Sequence, residues 1–239
     1  MIVSHKHKFI FFCTPKTGST SLEKPLEPFQ EGQELNRGIR LALSAKQSVD
    51  LFPDKHMPPL LLKSWLPQEI WDSYFKFVFV RNPWDWVVSA WKYYFKHKKI
   101  TPTFVANNPI ATLRYFKNYQ RLKEFNDKTV LTPEDVDYLF AHLKRFFPIF
   151  PNSTGFCQSY YVYDINGKQI VDFVGRFENL QRDFEFIKEK LELDIGISLP
   201  HLNSTNRGNY KSYFTKESKE RVAQLWQKDI ENFDYHFDN

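Results

Sequence analysis

The chain lacks most of what would anchor a protein in a bilayer, staple it or string it into repeats. Its 239 residues include only two cysteines, Cys13 and Cys157. That is too few for a disulfide framework or, alone, for a four-ligand zinc site, and a reducing cytoplasm is the compartment that fits. The longest apolar stretches, residues 9–13 and 77–80, fall far short of the roughly 20 residues of a membrane-spanning helix. The basic start MIVSHKHK is followed by about five apolar residues, fewer than the roughly 7 to 15 of a signal-peptide core, so it reads as the beginning of the fold. There are eight glycines, no linker rich in Gly or Ser, no repeat and no low-complexity tract. One domain over residues 1–239 is the simplest organisation, since a chain of this length can bury a sizeable core.

What is present is an ordinary globular balance, 42% hydrophobic and 26% charged, with a high aromatic share of 18%. A net charge of +5 favours anionic ligands as a class. Lys96, Lys98 and Lys99 around His97 read as the solvated end of a helix, where cations suit the dipole, rather than as a nucleic-acid groove.

Short buried strands are expected at residues 8–13 and 76–80, from their unbroken apolar character. Helices are expected over 31–50, 66–74, 109–124, 133–146, 178–191 and 216–230, the sixth of these segments ending the chain's regular structure. Asn82 can cap a further helix, with Pro83 at its first position and Asp85 in its first turn, running to about His97. Asn166-Gly167 is a hairpin signal between strands at 161–164 and 169–175. Helices alternating with short buried strands predict an α/β fold with a largely parallel central sheet flanked by helices.

Directly after the first strand comes Pro15-Lys16-Thr17-Gly18-Ser19-Thr20-Ser21. In open α/β sheets, ligands sit beyond the carboxyl ends of strands, and a strand-to-helix loop aims backbone N–H groups at them. Lys16, Thr17, Gly18, Ser19, Thr20 and Ser21 therefore read as a cradle of amides, hydroxyls and one ammonium for a phosphate-like group. A Gly-Ser turn leading into a helix cap is the alternative. The nucleoside triphosphatase pattern does not fit, because there the lysine follows the second glycine, whereas Lys16 precedes Gly18.

This heptapeptide resembles the 5'-phosphosulfate-binding loop of sulfotransferases that use 3'-phosphoadenosine 5'-phosphosulfate, PAPS. The stretch 80–90, VRNPWDWVVSA, is similar to that family's 3'-phosphate-binding segment of strand, arginine, turn and helix. Asn82 and Ser89 are seven positions apart, close to two helical turns, so Ser89 can face the helix start beside Arg81. Arginine suits multidentate contact with a phosphate. VGRFENL, residues 174–180, resembles the segment that sets an aromatic near the adenine, which puts Phe177 there. The stretch 201–210 is similar to a late loop that closes over the nucleotide, with Arg207 the candidate and Lys211 a second. The resemblance spans nearly the whole chain and is nearest to the carbohydrate branch, including soluble bacterial members. It implies a P-loop-like sulfotransferase fold, PAPS as co-substrate, no required metal and a saccharide or glycolipid acceptor; the composition adds no nucleic-acid partner and the short apolar stretches no membrane span. Two departures stand out: Pro25 and Pro28 interrupt the helix after the first loop, and the late loop lacks an Arg-Lys-Gly run.

Sulfuryl transfer needs a base for the acceptor proton and a cation for the leaving phosphate, the latter met by Lys16 on position. Among the seven histidines, His56 in Asp54-Lys55-His56 matches the family's Lys-His segment and is the implied base, ahead of Glu23 or Asp54. A sugar or nucleotide kinase with an atypical loop, and a non-catalytic module for a phosphonucleotide or anionic glycan, are the competing readings. The acceptor would be read by loops near 101–108 and 146–158, whose sequence does not name it.

Overall fold

The computed structural model describes residues 1–31, 54–95, 124, 127–146, 156–194, 196, 199 and 208–238. In chain order the elements are β1 (Ile2–Ser4), β2 (Phe9–Phe12), α1 (Ser19–Leu26), α2 (Pro59–Lys63), α3 (Gln68–Ser73), β3 (Phe75–Val80), α4 (Pro83–Tyr94), α5 (Pro133–Phe146), β4 (Phe173–Arg176), α6 (Leu180–Lys190), α7 (Lys216–Leu225) and α8 (Gln227–Phe233). Among the described residues the strands form one sheet in the order β1-β2-β3-β4. β1 runs antiparallel to β2, whereas β2, β3 and β4 are mutually parallel. The fold is mixed α/β, a central sheet flanked by helices.

β2 and β3 are apolar on both faces because both faces are covered. Phe9, Phe11, Phe77 and Phe79 point to one side, where they meet Leu22 and Leu26 of α1 and Phe184 and Ile187 of α6. Ile10, Phe12, Val78 and Val80 point to the other, against Trp84, Trp86 and Trp91 of α4 and Leu139 and Leu143 of α5. The phenylalanines interlock, Phe11 stacking on Phe77 with centroids 5.1 Å apart. Each such fully buried ring contributes about 1.5–3 kcal/mol relative to exposure. Lys76 shares the second face and is buried; its ammonium donates to the carbonyls of Trp71 (2.9 Å) and Tyr74 (2.6 Å) and pairs with Asp172.

α4 begins as its sequence predicts. Asn82 caps it, accepting from the Trp84 N–H at 3.1 Å, with Pro83 following; α4 is described to Tyr94, and residue 97 lies outside the described residues. Pro25 falls inside α1, which gives way at Glu27 to a 3-10 turn containing Pro28.

Three expectations change. The IVS of β1 was not anticipated as a strand; a three-residue edge strand is recognisable only from its pairing with β2. The Asn166-Gly167 turn forms, with Gly167 at φ 77, but the hairpin is reduced to a single bridge between Tyr163 and Gln169. Residues 158–161 are a 3-10 turn instead, and the second arm leaves to pair β4 with β3 in parallel. The helix expected over 216–230 breaks at Trp226 into α7 and α8. That break lets the buried Asp229 accept from the backbone N–H groups of Gln158 and Ser159, both at 2.8 Å. The helices expected over 31–50 and 109–124 lie outside the described residues, apart from residues 31 and 124.

β3 and β4 approach closely because Gly175 sits opposite Phe79. A Cβ at residue 175 would lie 2.5 Å from the Phe79 ring, which is fully buried. Gly175→Ala should therefore lower stability by about 1–3 kcal/mol, the range for overpacked cores. Gly208→Ala, with nothing within 4 Å, should stay within about 0.5 kcal/mol; urea midpoints of the two variants check this.

Candidate active site

The chain leaves β2 into a tight loop whose shape is set by two left-handed residues. Lys16 has φ 62 and Gly18 φ 79, with Thr17 between them at negative φ. Alternation of this kind turns successive N–H groups into one concavity, the geometry of anion nests. Gly18 is required twice over: its φ disfavours other residues, and a Cβ there would lie 3.1 Å from the Phe177 ring and 3.2 Å from Leu180. The Thr17 hydroxyl is spent internally, donating to the Thr14 carbonyl at 2.9 Å. Gly18 then begins α1 with no side-chain cap, so the positive end of the helix faces the loop. Ser19 and Ser21 are buried, and Thr20 is half-exposed.

Two neighbours hold the loop from behind. Buried Trp86 of α4 donates its indole N–H to the Pro15 carbonyl at 2.7 Å. Arg81, at the end of β3 and 5% exposed, donates through Nη1 to the Lys16 carbonyl at 3.1 Å. Its Nε and Nη2 lie 2.7 and 2.6 Å from Asp85 Oδ2, and its guanidinium carbon stands 3.8 Å over the centroid of Phe177. The Arg81 backbone is clamped by the Gln158 side chain, which accepts from its N–H and donates to its carbonyl, both at 2.8 Å. Glu178 accepts from the Asn82 N–H at 2.7 Å and from the Tyr235 hydroxyl at 3.0 Å, tying the start of α4 to the segment after β4.

His56 ends a 3-10 turn over Asp54–His56, far from the loop in sequence. Its Nδ1 lies 2.6 Å from the Cys13 carbonyl. A carbonyl only accepts, so Nδ1 carries the proton and Nε2 of the neutral ring is the atom able to take one. Burial pushes the His56 pKa down to about 4, reinforced by neighbouring Lys55 and opposed by the Cys13 carbonyl. The turn is secured further: the Tyr161 hydroxyl donates to the His56 carbonyl at 2.6 Å, and Lys55 pairs with Glu23 of α1. Glu23 also accepts from Cys13 Sγ, a thiol that burial pushes up to about 12.

The fold thus brings together Lys16, Thr17, Gly18, Ser19, Thr20, Ser21, His56, Arg81 and Phe177 around one strand end. Ser89 lies half-buried on α4, one turn beyond Asp85. Arg207 lies outside the described residues, as do residues 101–108 and most of 146–158. Lys211 is placed at the C-terminal segment, donating to the Asp238 carbonyl at 3.1 Å. Phe177 presents a face to Arg81 and an edge to Gly18, a structural use that its position in sequence did not suggest. Sequence reading also passed over Asp85, Gln158 and Tyr93, whose ring centroid is 3.9 Å from the Lys16 ammonium. The Arg81–Asp85 pair was legible in principle from its spacing of four. Among the described residues, no group of three or more His, Cys, Asp or Glu side chains is arranged to hold a metal ion, and no helix is long and apolar enough to cross a membrane.

The family described as "Sulfotransferase family" matches residues 1–236. Carbohydrate sulfotransferase 10 of Xenopus laevis is 25% identical over 248 positions, covering 98% of this chain and 67% of that protein. Carbohydrate sulfotransferase 14 of Danio rerio is 24% identical over 205 positions, covering 84% of this chain but 50% of that protein. An uncharacterised protein of Archaeoglobus fulgidus is 27% identical over 147 positions, 59% of this chain and 91% of its own length. The chain thus spans half to two-thirds of the length of the two carbohydrate sulfotransferases. No solved structure gives a significant match.

The depressed His56 pKa makes stability depend on pH with a definite sign. The unfolded chain protonates this histidine near pH 6.5, the folded chain only near pH 4. The unfolded state therefore binds more protons between these values, and the contribution present in full above about pH 6.5 is lost as pH falls toward 4. The slope has a ceiling of about 1.4 kcal/mol per pH unit. Urea midpoints measured from pH 7.5 to 4.5 should fall more steeply for wild type than for His56→Gln; parallel curves would show that His56 titrates normally.

Proposed function

The chain belongs to the sulfotransferase family, and on that premise we propose that it moves a sulfuryl group from PAPS to a hydroxyl of a carbohydrate or glycolipid acceptor by in-line displacement. The reading takes residues 1–239 as a single domain of the P-loop-like sulfotransferase type. One observation carries it: His56 and Arg81, from separate parts of the chain, bond to the carbonyls of Cys13 and Lys16, the two ends of one loop. A base, a cation and an anion cradle therefore share a single frame. The names borne by the Xenopus and Danio relatives support the carbohydrate acceptor. A reducing compartment suits two buried free thiols, Cys13 and Cys157.

The residues fit the nucleotide. The left-handed Lys16 and Gly18 and the uncapped start of α1 suit the 5'-phosphosulfate, with the hydroxyls of the following Ser19, Thr20 and Ser21 around it. By the family resemblance Arg81 and Ser89 would take the 3'-phosphate, Phe177 would serve the adenine, and Arg207, outside the described residues, would be the contact from the late loop. PAPS supplies the activated sulfur–oxygen bond. His56 Nε2 takes the proton of the acceptor hydroxyl, and Lys16 with the loop amides stabilises charge on the phosphate oxygen that leaves. The burial-lowered basicity of His56 is compatible with this assignment, because phosphate charge beside a histidine raises its pKa.

Adenosine 3',5'-bisphosphate at about 100 times its dissociation constant should stabilise the protein by about 2.7 kcal/mol, a rise of roughly 5–10 °C in Tm. Lys16→Ala should lose much of that rise, and ATP with magnesium should not reproduce it. A preference for ATP with magnesium would favour a kinase. With PAPS and a saccharide acceptor, His56→Ala should lose about 10²–10⁴-fold in turnover while keeping bisphosphate binding. A loss of only a few-fold would remove His56 from the role of base.

A further inference from the structure

We infer that Tyr93 is a positioning residue for Lys16, its ring seating the lysine ammonium at the phosphate loop; the inference rests on the nucleotide reading above. The Lys16 Nζ lies 3.9 Å from the Tyr93 ring centroid, well within cation–π range. Tyr93 is 59% exposed on a helix whose tryptophans are buried, with Trp86 and Trp91 at 0% and 1%. Core packing therefore does not account for the ring. Its contact with Tyr94 is T-shaped, interplanar angle 84°, so the two rings do not stack face to face.

The other end of the lysine is fixed as well. Lys16 has its backbone at φ 62 and its carbonyl bonded to Arg81. A lysine stem has several rotatable bonds, so a charged head fixed at one end alone would sample many positions around the loop. Holding both ends confines the ammonium to one place. The location suits the role, because Ser89 and Tyr93 are four residues apart and so are neighbours on the surface of α4. Ser89 and Tyr93 are one turn apart, about 6 Å along the axis.

The test uses lysine Cε-labelled protein and adenosine 3',5'-bisphosphate as probe, on wild type, Tyr93→Phe, Tyr93→Leu and Lys16→Ala. The Lys16 Hε resonance, identified by its loss in Lys16→Ala, should be shifted upfield by the ring, stay shifted in Tyr93→Phe and return to the position of a solvated lysine in Tyr93→Leu. Bisphosphate should bind Tyr93→Leu about two- to five-fold more weakly than wild type, the scale of a cation–π contact at an exposed ring, and Tyr93→Phe should bind as wild type does. An unshifted wild-type resonance overturns the inference, as does equal or tighter binding by Tyr93→Leu. If the shift is present but wild type binds no bisphosphate, the nucleotide reading itself fails and the inference falls with it, the spectrum showing which of the two was at fault.

Discussion

A buried guanidinium is the constraint around which the site is organised. Arg81 is almost wholly removed from water, and a lone charge there would be strongly unfavourable. Its compensation comes from the Asp85 carboxylate, the Lys16 carbonyl and the Phe177 ring face. Those partners belong to α4, to the loop after β2 and to the segment after β4. Satisfying one cation therefore brings three separated pieces of chain into register. The loop is held in an otherwise unfavourable left-handed conformation by the same contact, since the accepting carbonyl is that of Lys16.

Asp85 gives this arrangement a second consequence. A carboxylate beside the arginine offsets its charge, so the pocket is less positive than a count of basic side chains suggests. What Asp85 adds is orientation: with Nε and Nη2 both turned to it, the guanidinium plane is fixed and laid flat on Phe177. His56 follows the same logic at the other end of the loop. The Cys13 carbonyl selects its tautomer, and its burial lowers its basicity.

The parts readable from sequence were those decided within a few residues. β2 and β3 announce themselves because burial on both faces leaves no polar interruption, and α4 because Asn82, Pro83 and Asp85 supply its start. The loop was legible because Gly18 and its hydroxyl neighbours have few other uses at a strand end. What escaped was decided at long range. β1 exists only through β2; the arm after Gly167 is drawn away by β3; the helix after Thr215 breaks because Asp229 must reach residues 157–159. His56 was picked out by resemblance, but nothing in its own segment shows that its ring meets the Cys13 carbonyl. Tyr93 looked like one more aromatic on an apolar helix, and its exposure beside Lys16 is a property of the fold alone.

The reach of Asp229 also bears on the order in which the protein is made. Its carboxylate takes the backbone of Gln158 and Ser159, and the Gln158 side chain clamps the backbone of Arg81. The loop after β2 lies far upstream of α8, so it leaves the ribosome well before the clamp behind it can form. A nascent chain can hold the sheet and the glycine turn yet lack the bonds that fix Arg81 behind the loop. The support behind the loop is thus tied to the synthesis of α8, and chains cut short before α8 lack the Asp229 contacts even though every residue that lines the first loop is present.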